Sequence, residues 1–196
     1  MNFLAHLYLA GDSEPIILGN FLGDFVKGRL LQQFEPSILK GIALHRNIDS
    51  FTDGHYVVKE SKNRLRKQYR HYSGVLVDMY YDHLLAKNWK EFAPHSLEDF
   101  TANTYQILNN HIAIFPQKAQ YMLPYMIRDN WLLNYRSTKG IEEALQGMAK
   151  RTKFKSGLET GTDELLIYYK EFEEEFMDFF PDLIKYVKNE MNYYYL

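Results

Sequence analysis

Apolar residues recur along almost the whole of this chain at the three- and four-residue spacing of an α-helix, and almost nowhere in the alternation that a half-buried strand requires. A sheet has no material here, so the expected fold class is all-α. Phe3, Leu4, Leu7 and Tyr8 predict a short buried helix within the first ten residues. Ser13 stands where a cap belongs and Pro15 in a first turn, opening a second helix with Ile16, Leu18, Phe21, Leu22 and Phe25 on its apolar side and Gly28 as its stop. Pro36 opens a third, whose stripe of Ile38, Leu39, Ile42, Ile48 and Phe51 ends at Thr52, Asp53 and Gly54. Residues 57–72 read as a fourth helix and Ser73 to about Lys87 as a fifth, followed by helices near 97–113, 118–135 and 138–150. A last stretch near 162–192 is interrupted only by Pro181, which predicts a break or kink. The expectation is a single-domain bundle of about eight or nine helices over residues 1–196.

With 46% hydrophobic and 24% charged residues, a chain of this length buries a core without needing a metal or a disulfide. It has no cysteine, which excludes zinc ribbons, iron–sulfur clusters and thiol nucleophiles, and leaves any metal chemistry to His, Asp and Glu. The segment Met1 to Ala10 lacks the basic start of a secretory leader, and no apolar run approaches the ~18 residues of a membrane span. A cytoplasmic protein without membrane contact is expected.

The net charge of −2 argues against general nucleic-acid affinity, but it averages two opposed segments. Residues 57–72 carry Lys59, Lys62, Arg64, Arg66, Lys67 and Arg70 against Glu60 alone. Residues 163–182 carry eight acidic side chains against Lys170 alone. Either is explained by a solvated helix face, and the basic one equally by an acidic partner.

Charged and imidazole groups set among apolar helix residues are the informative exceptions, because their burial is costly unless they are paired or bound to a metal. His6 lies within NFLAHLYLA and Asp24 within GNFLGDFV. His45 and Asp49 stand four apart, on one helix face, and Asp78 and Asp82 repeat that spacing with His83 adjacent. Taken one at a time, each is more simply a satisfied core group or a helix-stabilising contact. Together they offer a helical bundle enough imidazole and carboxylate for a site holding Mn²⁺ or Mg²⁺, or Fe²⁺ or Zn²⁺. His55, His71, His95 and His111 lack an acidic companion at helical spacing and read as surface or capping residues. Tyr168, Tyr169, Phe172, Phe176, Phe179 and Phe180 read as core packing, and Tyr193, Tyr194 and Tyr195 as the end of an amphipathic tail. Dinucleotide, Walker and nucleophile-elbow motifs are missing.

The ordered motifs MNFLAHLYLA, GNFLGDFV, GIALHRNIDSFTD, DMYYDHLLA and LQGMAKR make the chain resemble the acyl carrier protein phosphodiesterases from Met1 to about Arg151, with no motif recognised after Lys155. The resemblance implies an all-helical, HD-domain-like enzyme, a divergent relative of the HD-type metal phosphohydrolases. Its relatives use Mn²⁺ to remove 4′-phosphopantetheine from holo acyl carrier protein, leaving the apo form with a free serine, which ties the chain to fatty acid biosynthesis and lipid metabolism. The HD pair is not reproduced literally, since Asp82 precedes His83 and the other pair is split between His45 and Asp49.

On that resemblance, His6, Asp24, His45 and Asp82 are assigned as metal ligands. Asp49 or Asp78 would orient a ligand or accept a proton, and His83, or a cation such as Arg46 or Lys27, would assist departure of the serine oxygen. Arg46, Arg64, Arg66, Lys67 and Arg70 would receive the acidic carrier protein. Competing readings are a hydrolase of nucleotides or small phosphodiesters, a carrier-protein binder without activity, and a structural metal site.

Overall fold

The computed structural model describes residues 1–195, with side chains through Met191, and every regular element among them is helical. The order is α1 (Phe3–Leu9), α2 (Glu14–Leu22), a 3₁₀ turn (Gly28–Gln33), α3 (Pro36–Gly54), α4 (Tyr56–Tyr69), α5 (Ser73–Lys87), α6 (Trp89–Phe92), α7 (Leu97–Asn110), α8 (Gln117–Arg128), α9 (Trp131–Asn134), α10 (Thr138–Arg151), α11 (Gly161–Ile167) and α12 (Tyr169–Tyr195). None of the described helices is long and apolar enough to cross a membrane.

The helices outnumber the sequence reading because α6 lies between two predicted helices and two predicted stretches are subdivided, while a third is cut short. The second helix ends at Leu22, and Gly28, at φ +58°, opens a 3₁₀ turn instead of stopping an α-helix. Asn130, in the left-handed region at φ 43°, separates α8 from α9. Tyr168 parts α11 from α12. Pro181 does not break the last helix, since α12 runs on through it. Phe179, Phe180 and Leu183 are fully buried on either side of it, and that packing outweighs one lost backbone hydrogen bond. The side chains of Tyr193, Tyr194 and Tyr195 lie outside the described residues.

Helix α5 runs through the middle of the core, with Leu76, Val77, Met79, Tyr80, Tyr81, Leu84 and Leu85 all without solvent exposure. Phe172, Phe176, Phe179 and Phe180 of α12 cover it, as their spacing predicts, with Phe176 and Phe180 stacked at 5.0 Å. The acidic face of α12 is partly spent inside the fold. Glu175 takes both guanidinium ends of Arg64, at 2.6 and 2.7 Å, and the hydroxyl of Ser61. Helices α2 and α3 touch backbone to backbone, because Gly19 and Gly41 face each other: a Cβ at Gly41 would lie 2.5 Å from the Ile16 carbonyl oxygen.

Candidate metal centre and its cleft

The close approach of α2 and α3 puts Asn20 against His45. The His45 ring lies flat over Gly23, where a Cβ would collide with it. Its Nδ1 donates to the Asn20 carbonyl oxygen at 2.9 Å, and a backbone carbonyl can only accept. The other nitrogen, Nε2, is thereby turned toward Asp49 at 3.2 Å and Asp24 at 3.5 Å. From α1, His6 stacks on His45 with ring centroids 3.9 Å apart. Its Nδ1 is 3.1 Å from the Asn20 side-chain oxygen and its Nε2 is 3.1 Å from Asp49. One asparagine thus holds both imidazoles, and one carboxylate meets both of their free nitrogens.

His6, His45 and Asp49 offer ligand atoms that all lie within 4.8 Å of one another. Two imidazole nitrogens with their second nitrogens anchored, plus a carboxylate and no thiolate, fit a hard or borderline divalent ion. The electrostatics agree. Burial alone would lower the His45 pKa, but Asp24 and Asp49 outweigh it and raise it to about 9. His6 is lowered, chiefly by burial and further by His45 beside it. Asp24 is lowered by its contact with His45, and Asp49 is lowered although burial opposes it, because both histidines face it. Nε2 of His45 meets these carboxylates either as an N–H or as a lone pair toward a shared cation.

His45, Asp49 and Asp24 line a cleft of about 300 Å³ together with Met1, Asn2, Asp53, Asp78 and Met148. His6 is buried beneath them, whereas the Asp24 side chain is 64% exposed, so it stands at the open edge. Asp78 is in the cleft but is taken by the Met1 ammonium at 2.9 Å. Arg46 donates to the carbonyl of Val26, two residues after Asp24, at 3.1 Å, and Lys27 is exposed next to Val26 in the chain.

Three of the sequence-assigned residues have other places. Asp82, assigned as a ligand, accepts backbone N–H groups from Asn2, Leu4 and Ala5 at the start of α1, and lies outside the His6–His45–Asp49 cluster. His83 lies on another face of α5, between the Tyr135 carbonyl at 2.7 Å and the Tyr169 hydroxyl at 3.2 Å. Arg64 is bound by Glu175, leaving Arg66, Lys67 and Arg70 as exposed members of the basic set. Sequence reasoning passed over Asn20 and counted Lys62 only as one cation of the basic segment. Asn20, a polar residue among Gly19, Phe21 and Leu22, carried the same signal as Asp24. Lys62 binds Asp53 on the cleft rim at 2.5 Å, and its partnership across nine residues had no pattern to show it.

The family model for acyl carrier protein phosphodiesterase matches residues 1–183. The chain belongs to that family. The match extends the likeness well beyond Arg151, through α11 and into α12. Among curated relatives, the acyl carrier protein phosphodiesterase of Photorhabdus laumondii is 32% identical over 190 residues, 96% of each chain. That of Yersinia pestis is 33% identical over 186 residues, covering 94% of this chain and 96% of its own. A relative of the same name from Escherichia coli is 32% identical over 186 residues, with the same coverage. No solved structure matches the chain.

Proposed function

We propose that this chain is a metal-dependent phosphodiesterase that removes 4′-phosphopantetheine from holo acyl carrier protein in the cytoplasm, releasing the apo protein. The observation that carries the reading is the meeting of His6, His45 and Asp49 in the floor of an open cleft, in a member of this family. His6, His45 and Asp49 would hold the ion, with Asp24 at its edge. Mn²⁺ is the ion proposed, Mg²⁺, Fe²⁺ and Zn²⁺ being compatible with the same donors. When bound, such an ion neutralises phosphoryl charge and acidifies water.

The chain's own groups do the rest. Asn20 fixes the tilt of both rings, so that both Nε2 atoms face Asp49 without reorganisation. Asp24, ionised and exposed, accepts the proton of the attacking water. Asp78 is engaged by the Met1 ammonium through its Oδ1. Arg46, held by the Val26 carbonyl, or Lys27 would meet the charge that develops on the departing serine oxygen.

The substrate protein is acidic, and the cleft rim leads onto a cationic stripe. Lys62, bound to Asp53 on the rim, and Arg66 stand four apart on α4, and Arg70 follows just past its end. The test is the mass of holo acyl carrier protein after incubation with the protein, with Mn²⁺ and with chelator. A metal-dependent loss equal to phosphopantetheine is expected. An unchanged mass with metal bound overturns this substrate and directs the search to small phosphodiesters.

A further inference from the structure

Beside the cleft lies a larger cavity of about 770 Å³, whose walls include Phe3, Phe25, Met122, Trp131, Ala144 and Met148, with charged residues such as Glu143 and Arg151 among the rest. Its size is that of a small-molecule site, and its walls are mostly apolar. The two spaces adjoin at three points of the chain. Asn2 and Asp24 line the cleft while their neighbours Phe3 and Phe25 line the cavity, and Met148 lines both. Met148 is thus a wall common to the cleft that holds His45 and Asp49 and to the apolar cavity.

A second observation concerns helix α10. A glycine inside a helix weakens it, so an internal glycine calls for a reason. Gly140, in the first turn of α10, has one, since a Cβ there would collide with the backbone of Asn134. Gly147 has none of that kind: the nearest heavy atom to a Cβ there is Arg151 Nη1 at 3.5 Å, an ordinary contact. Gly147 also lines the cavity, so what its missing side chain provides is space for something else. Gly147, Met148 and Arg151 all belong to the LQGMAKR motif, none of whose residues is in the metal cluster, and all three line this cavity.

We infer that this cavity seats the pantetheine arm of the substrate, the part that runs from the scissile phosphate to the terminal thiol, with Met148 as the wall at its entrance and Gly147 as the residue that keeps it open. The inference rests on the phosphodiesterase reading. A folded carrier protein cannot enter a space of this size, whereas its thin prosthetic arm can. The arm's methyl and methylene groups match the apolar walls, and Asn134, which also lines the cavity, offers its amides a hydrogen-bonding partner.

The test uses the whole protein and needs no turnover in its first part. Trp131 lies in the cavity wall, and the other tryptophan, Trp89, is buried elsewhere in the core, so free pantetheine is titrated against the intrinsic fluorescence. A saturable change that disappears in Trp131→Phe is expected, and no change at millimolar pantetheine overturns the proposal. The second part compares Gly147→Phe with the wild type on holo carrier protein, after circular dichroism has shown the variant to be folded. A rise in KM of tenfold or more is expected, and an unchanged KM overturns the cavity assignment. Failure of the wild type itself to convert holo carrier protein would instead sink the phosphodiesterase reading, so the two failures are told apart.

Discussion

The Asp82 carboxylate receives the backbone N–H of Leu4 at 2.7 Å, reaching from the middle of α5 to the first turn of α1. It also takes the N–H groups of Asn2 and Ala5, at 3.2 and 3.3 Å. Asn2 holds the N-cap position of α1 but makes no capping bond with its own side chain, so Asp82 caps that helix from a distant part of the sequence. His6 follows one residue after Ala5. Burial pushes the Asp82 pKa up to about 7, against the pull of the Met1 ammonium and of these N–H groups. Asp82→Ala strips buried donors of their acceptor and is expected to cost about 2–3 kcal/mol. That corresponds to a fall of roughly 5–10 °C in Tm for a domain of this size. Turnover should fall with it as His6 loses its anchorage, whereas Asp82→Asn keeps an acceptor and should recover part of both.

Asn20 is the shared support of the two imidazoles. Asn20→Ala deletes the oxygen beside His6 and leaves the main-chain acceptor of His45 untouched. Loss of such an outer partner weakens metal binding by about 10–100-fold, which titration calorimetry with Mn²⁺ would register. An affinity equal to that of the wild type would contradict the proposed ion site.

His45 supplies a pH signature. Its folded pKa of about 9 exceeds the ordinary 6.5, so the folded state holds the proton more tightly than the unfolded chain does. This contribution to stability is fully present below about pH 6.5 and is lost as pH rises through about 9. In the presence of chelator, Tm is expected to decline across that window, and less steeply in His45→Gln. With Mn²⁺ added, metal and proton compete for one nitrogen, so metal affinity should climb over the same range. Identical slopes for wild type and His45→Gln would refute the account.

The cations of α4 divide into two kinds. Arg64, clamped by Glu175 and lying over the Phe172 ring at 5.0 Å, is structural, and Arg64→Ala should lower Tm without altering KM. Arg66 and Lys67 are exposed. The double variant Arg66→Glu, Lys67→Glu should raise KM for the carrier protein about tenfold at low salt, with the effect shrinking as salt screens it over ~10 Å and less. A KM indifferent to both charge and salt would leave the stripe as solvated surface.

The helices were legible because their apolar stripes keep one period, and the cluster because His45 and Asp49 stand four apart on one helix. His6 and Asp24 announced themselves as polar residues in apolar surroundings. Asp82 gave the same signal for a different reason, because burial with satisfied hydrogen bonds looks from sequence like burial toward a ligand. The division of α8 from α9 was hidden, since it rests on one asparagine adopting a left-handed conformation. Continuity through Pro181 was hidden as well, because tertiary packing overrode a local preference. The pairing of Arg64 with Glu175 spans 111 residues, beyond the reach of any periodicity.

The joint between α2 and α3 is made at Gly19 and Gly41, where backbone meets backbone. Such a joint has no rotamers to change. His45, pinned between Gly23 below and the Asn20 carbonyl beside it, cannot follow an ion of different radius. Adjustment to ionic size therefore belongs to the carboxylates of Asp49 and Asp24, whose side chains are 44% and 64% exposed.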